Sequence, residues 1–314
     1  MSMNKKILSL LVVAMLSITT SSHALASKNN LKNSTEPIPT LAILDTALDN
    51  TILQIKSKLI YEVCILEWAT CPNGSTFMEG TNAAYLPINA ITKNGFDHGT
   101  QMVSAAIAEN PNMNIVFVRI IGQNINFDRQ ITTEKTIYTA LDWVLQNRSK
   151  FNIKAVAMSQ GHHNLLAGTD YCPKTPITES KIKALLDVQV PVFLATGNAR
   201  DYTKIDWPAC IPSSIAVGAA TKNGIELYSN YDKALTDFHA NSRASVFVPG
   251  GTIINATGTS ISVQMAAADW IAVKYAKPTY TYSQIYDLIS KTSRPVTGRQ
   301  GNATLIQLGA ALNG

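Results

Sequence analysis

Apolar positions along the chain form two patterns that alternate. Short runs of four to seven mostly β-branched or small residues occur at 41–44, 115–121, 154–158, 192–195, 215–219 and 245–249. Runs without polar alternation are expected of strands buried on both faces. Longer stretches with helical spacing lie at 100–108, 132–147, 180–188, 260–275 and 283–290. In the second of these, Ile137, Ala140, Leu141 and Val144 recur at i, i+3, i+4 and i+7, which puts them on one helix face. Strand and helix alternating through the middle of a chain predict an α/β fold: a doubly wound, mostly parallel sheet with helices on both faces. Such sheets carry their chemistry just beyond the carboxyl ends of the strands.

The first 26 residues read differently. Lys5 and Lys6 precede an apolar run over 7–18, and Ala24-Leu25-Ala26 presents small residues where a signal peptidase reads. The run is too short for a membrane span, so the segment is expected to be a signal peptide and the protein exported, to the periplasm or the medium. Residues 27–39 are polar and read as a flexible leader. Residues 40–314, without a later linker or repeat, read as one domain.

Composition narrows the function classes. Apolar residues make up 46 % of the chain and charged ones 15 %, enough for a large core. Without the first 26 residues, 24 basic side chains face 21 acidic ones. A surplus of three, scattered along the chain, does not make a nucleic-acid-binding face. Four cysteines, Cys64, Cys71, Cys172 and Cys210, form no CxxC pair; in an exported chain they are expected to be disulfides, not metal ligands.

The candidate chemistry sits at the ends of predicted elements. Asp45 closes the apolar run 41–44. His98 lies in Phe96-Asp-His-Gly-Thr, where a helix begins. Ser260 lies in Thr257-Gly-Thr-Ser, at another helix start, where free N–H groups favour developing negative charge. Asn198 ends Ala195-Thr-Gly-Asn, and its amide could serve as an oxyanion donor. Met158-Ser-Gln-Gly161 ends a further strand in residues suited to backbone pairing with an extended peptide.

Asp-Thr-Ala at 45–47, His-Gly-Thr at 98–100, Met-Ser-Gln-Gly at 158–161, Ala-Thr-Gly-Asn at 195–198 and Gly-Thr-Ser at 258–260 resemble, in order, the signature segments of the subtilisin-like serine proteases. The likeness runs from about Thr40 to the end of the chain. It implies that Asp45, His98 and Ser260 are a catalytic triad and that Asn198 is in the oxyanion hole. Ser159, Gln160 and Gly161 would then wall the substrate cleft, with Gly197 near the pocket for the residue before the scissile bond. It also implies a monomer acting on polypeptides without a cofactor. Relatives commonly bind structural calcium, but there is no EF-hand-like run here and no ligands are assigned. Cys64 and Cys71 flank a short loop and are expected to pair. Cys172–Cys210 would tie the segment after Gly161 to the loop after Asn198.

The chain departs from the family at Ala47 (usually Gly), Gln101 (usually His or similar), Gln160 (often apolar) and Gln264 (usually Pro). Relatives usually carry a folding pro-domain after the signal; here only residues 27–39 intervene. Two rival readings stay open. Ala157-Met-Ser159-Gln-Gly161 imitates the nucleophile elbow of an α/β-hydrolase, with Asp206 or Asp237 and His239 as partners. The chain could instead be an inactive binding protein on the subtilisin-like scaffold. His162-His163 reads as surface histidines.

Overall fold

Four neighbouring apolar runs pair side by side at the centre of one sheet. The structure is a computed structural model describing residues 36–93, 95–122, 132–162, 172 and 174–314. Residues 1–26, expected to be a signal peptide, residues 27–35 of the expected leader, and His163 lie outside the described residues. In chain order the elements are β1 (Thr40–Asp45), α1 (Leu53–Lys56), β2 (Leu59–Ile65), β3 (Phe77–Glu79), α2 (Ile88–Lys93), α3 (His98–Glu109), β4 (Asn114–Arg119), α4 (Glu134–Asn147), β5 (Ile153–Met158), α5 (Pro176–Asp187), β6 (Val192–Ala195), β7 (Ile215–Thr221), β8 (Gly224–Ile225), β9 (Phe238–Asn241), β10 (Arg243–Phe247), β11 (Ile253–Thr257), α6 (Thr259–Ala276), α7 (Tyr282–Thr292), β12 (Arg294–Gly298), β13 (Gly301–Leu305) and α8 (Leu308–Asn313).

The main sheet has the order β12-β13-β9-β7-β6-β5-β1-β4-β2-β3, with β8 beside β7. From β13 to β2 every neighbour is parallel, and β3, β8 and β12 join antiparallel. After β1 the chain builds toward β2 and β4, then crosses to β5 and continues outward to β9. The strand order therefore reverses at β1, where a crevice opens beyond the carboxyl ends.

Alternate residues of each central strand enter opposite cores, as the two-residue period requires. Leu41, Ile43, Ile115, Phe117, Ala155 and Ala157 pack with α3 and α6. Ala42, Leu44, Val116, Val118, Val156 and Met158 pack with α4 and α5. Helix α6 is buried around almost its whole circumference, as its small and apolar sequence over 261–273 demands. Thr133 caps α4 by accepting from the Thr136 N–H, and Thr281 and Gln284 form a capping box on α7.

Two expectations need correction. The run at 245–249 is no strand of the main sheet: β10 pairs only with β11, in a separate hairpin half open to solvent. The leader's end is not free either, since the carbonyls of Pro37 and Ile38 accept the Asn152 side-chain amide at 3.0 and 3.1 Å. Cys64 is bonded to Cys71 and Cys172 to Cys210. No helix among the described residues is long and apolar enough to cross a membrane.

Candidate active site

Asp45, the last residue of β1, is fully buried. Its Oδ1 accepts the Thr46 backbone N–H at 2.7 Å, the His98 Nδ1 at 2.8 Å and the Gln160 Nε2 at 3.3 Å. Three donors on one oxygen suit a carboxylate, which only accepts. With the proton held on Nδ1 toward Asp45, the other ring nitrogen of His98 is left as the acceptor. The His98 side chain is 23 % exposed, so the pair joins a buried anchor to an accessible ring.

Thr46 fixes the position of His98. Its hydroxyl donates to the Phe96 carbonyl at 3.0 Å and accepts the Gly99 N–H at 2.9 Å. The second bond satisfies one of the unpaired N–H groups of the first turn of α3. A Cβ at Gly99 would stand 2.4 Å from the Ala47 carbonyl oxygen, so glycine is needed for the helix to begin against the exit of β1.

Ser260 is the second residue of α6 and half-buried. Gly258 precedes the helix at φ +148°, a conformation that side chains disfavour, and makes the sharp turn from β11. The Gly258 N–H donates to Ser242 O at 3.1 Å and the Ser262 hydroxyl to Ala240 O at 3.1 Å, which pins this first turn to the end of β9. The Asn198 Oδ1 accepts the Thr259 N–H at 3.0 Å and its hydroxyl at 3.1 Å. Because a backbone N–H must have an acceptor, this contact assigns the amide orientation.

Ser159 closes the arrangement. Its hydroxyl donates to Ser260 O at 3.2 Å, lies 3.6 Å from Met102 Sδ one turn along α3 from His98, and accepts Gln264 Nε2 at 3.0 Å. Asp45, His98, Gln160, Ser159, Ser260 and Asn198 thus converge at the ends of β1, β5 and β6 and the starts of α3 and α6. The Gln160 side chain is buried and turned inward to Asp45. Gly161 is exposed at the rim, and Gly197 is buried at φ +103°.

The subtilase family model matches residues 38–309. This chain belongs to the subtilase family. Solved structures similar to this subtilase include a serine-to-alanine mutant of the PatA protease domain, at 16 % identity and TM-score 0.69 over 88 % of this chain and 94 % of that one. A protease from Pseudoalteromonas arctica matches at 18 % identity and TM-score 0.69, covering 88 % and 89 %. A cold-adapted subtilisin-like serine proteinase matches at 19 % identity and TM-score 0.64, covering 85 % and 87 %.

The alternative built on Ser159 finds no support in this subtilase. Its hydroxyl is tied to Ser260 O and Gln264, and the nominated His239 is buried within β9. Burial pushes the His239 imidazole down to about 4. His162 is not a surface histidine: it is half-buried, its Nε2 lies 2.8 Å from Thr132 O, and its ring stacks on Trp207. Sequence reasoning missed two contributors, Thr46 and Gln264. Gln264 carried a signal, since it stands at i+4 from Ser260 and therefore on the same helix face.

Proposed function

We propose that this subtilase is an exported serine endopeptidase that acts through an acyl-enzyme on Ser260. The observation that carries the reading is the 2.8 Å Asp45–His98 pair, joined through Gln160 and its chain neighbour Ser159 to the backbone carbonyl of Ser260. His98 takes the hydroxyl proton as Ser260 Oγ attacks a peptide carbonyl, and Asp45 stabilises the resulting imidazolium. With its oxygen held by Thr259, Asn198 presents its NH₂ to the developing oxyanion, next to the N–H groups of the first turn of α6. His98 returns the proton to the leaving amine, and water resolves the acyl-enzyme by the same steps. An extended polypeptide pairs with the backbone of residues 159–161. Two disulfides suit export to an oxidising compartment.

Labelling with an organofluorophosphate, read by peptide mass spectrometry, tests the assignment. Label is expected on Ser260, and Ser260→Ala and His98→Ala should each abolish labelling and proteolysis. Label on Ser159 that survives Ser260→Ala would transfer the chemistry to the rival serine. A folded wild type that takes no label would make the chain an inactive member of the family.

A further inference from the structure

One buried side chain links the segments that carry all three proposed catalytic residues. Asp49 lies four residues after Asp45 and is fully buried. Its N–H donates at 3.0 Å to the hydroxyl of Thr100, two residues past His98 on α3. Its Oδ1 accepts the Thr51 N–H at 3.0 Å and the Thr51 hydroxyl at 2.6 Å, an Asx turn that shapes the loop before α1. Its Oδ2 accepts the Gly250 N–H at 2.8 Å. Gly250 stands at the tip of the β10–β11 hairpin, where the Val248 N–H donates to Thr252 O at 2.8 Å. The hairpin pairs residues from Phe247–Ile253 to Arg243–Thr257, and β11 leads through Gly258 to Ser260. A second bond fastens it to the helix of His98: Ser104 Oγ on α3 accepts the Phe247 N–H at 2.8 Å. Val246 of β10 packs in the same core as Met102 and Val103 of α3.

We infer that Asp49 is a positioning residue for the reaction: through Gly250 it fixes the hairpin that leads to Ser260 against the loop and helix that hold Asp45 and His98. The inference rests on the peptidase reading above. A carboxylate suits the position because its two oxygens accept in two directions at once, toward Thr51 on its own loop and toward Gly250 across the interface. The open end of the hairpin is closed by the 3.1 Å bond from the Gly258 N–H to Ser242 O. Asp49 holds the opposite end. With the tip released, the ribbon pivots about its open end, where the first turn of α6 begins. A displacement of about 1 Å between a nucleophile and its base costs up to about 10²-fold in rate. The Ser104 bond and the apolar contact remain when Asp49 is changed, so the expected loss is smaller, about tenfold.

The test counts and times acylation of the full chain by an organofluorophosphate, with urea unfolding and peptide turnover measured alongside. Asp49→Asn leaves one acceptor oxygen for two sets of donors. Ser104→Ala removes the second hairpin bond. Thr51→Val removes a donor on the Oδ1 side and spares the bond to Gly250. Asp49→Asn should label to the same final fraction of chains as wild type but about tenfold more slowly, with kcat lowered alike and KM little changed. Ser104→Ala should also slow labelling, whereas Thr51→Val should keep the wild-type rate even where its unfolding midpoint falls. A merely structural role gives the opposite pattern in Asp49→Asn, a smaller labelled fraction at an unchanged rate, and that result overturns the inference. So does a wild-type rate in fully labelled Asp49→Asn. Where Asp49→Asn does not fold, Ser104→Ala decides, and an unslowed rate there overturns the inference. Each of these outcomes spares the peptidase reading, because wild type is still labelled at Ser260. A folded wild type that takes no label overturns the two together.

Discussion

The carboxamide of Asn198 is anchored by its oxygen to the first N–H of the helix that carries Ser260, through the 3.0 Å bond from Thr259. The same contact that positions the side chain commits its NH₂ to donate elsewhere. Asn198→Asp keeps an acceptor for Thr259 but has no donor when ionised. Asn198→Asp and Asn198→Ala should both lower kcat by about 10²–10³, the range known for oxyanion donors in serine proteases, with little change in KM. Steady-state kinetics decides the point. A rescued kcat in Asn198→Asp would make the asparagine an anchor only.

Gln160 replaces a residue that is often apolar in this family with a third donor to Asp45, 3.3 Å from Oδ1. Its Nε2 also lies 3.3 Å from His98 Nδ1, so the amide packs against both members of the pair. Gln160→Leu should lower kcat by about tenfold, as for one long hydrogen bond to a charged group, and shift the pH profile of kcat/KM. A change confined to KM would return this side chain to substrate binding.

Gln264 gains one bond to Ser159 but leaves its Oε1 buried without a partner. A neutral hydrogen bond contributes about 1 kcal/mol, whereas an unpaired buried acceptor costs about 1–3 kcal/mol. Gln264→Met, which removes both, should therefore raise stability by about 1 kcal/mol. Urea unfolding measures it, and a loss above that size would show that the Ser159 contact outweighs the orphaned oxygen.

Two buried groups give stability opposite pH dependences. His239 has an ordinary value of 6.5, lowered by burial to about 4 in the fold. Its contribution is present above pH 6.5 and lost as pH falls toward 4, a change of about 3 kcal/mol. Asp269 on α6 is raised well above the ordinary carboxyl range, first by burial and then by the charge and hydrogen bond of Glu109 on α3. Its contribution is complete below the ordinary carboxyl value and is lost as pH rises. Unfolding midpoints across pH 4–9 should show that His239→Leu flattens the acid limb. Asp269→Asn should raise the midpoint at pH 8. An unchanged acid limb in His239→Leu would assign that slope to other groups.

The alternation of buried runs and helical stretches was enough to place the core of the sheet, because strands buried on both faces must be apolar at every position. It placed 41–44, 154–158 and 192–195 within a residue or two of β1, β5 and β6. It failed at 245–249, where an apolar run lies in a half-exposed hairpin, and at β2, β9 and β13, whose mixed residues reflect contact with loops and a sheet edge. Composition says nothing of those neighbours. The sequence also determined which residue types stand at strand and helix ends, since Asp45, His98, Asn198 and Ser260 adjoin elements with strong local signals. Only the tertiary structure decided how they meet. The inward turn of Gln160 and the Gln264 bond to Ser159 both depend on segments far apart in the chain. Such contacts arise when strand order reverses at β1 and brings β5, β6 and α6 to one crevice, a long-range condition that local periodicity does not encode.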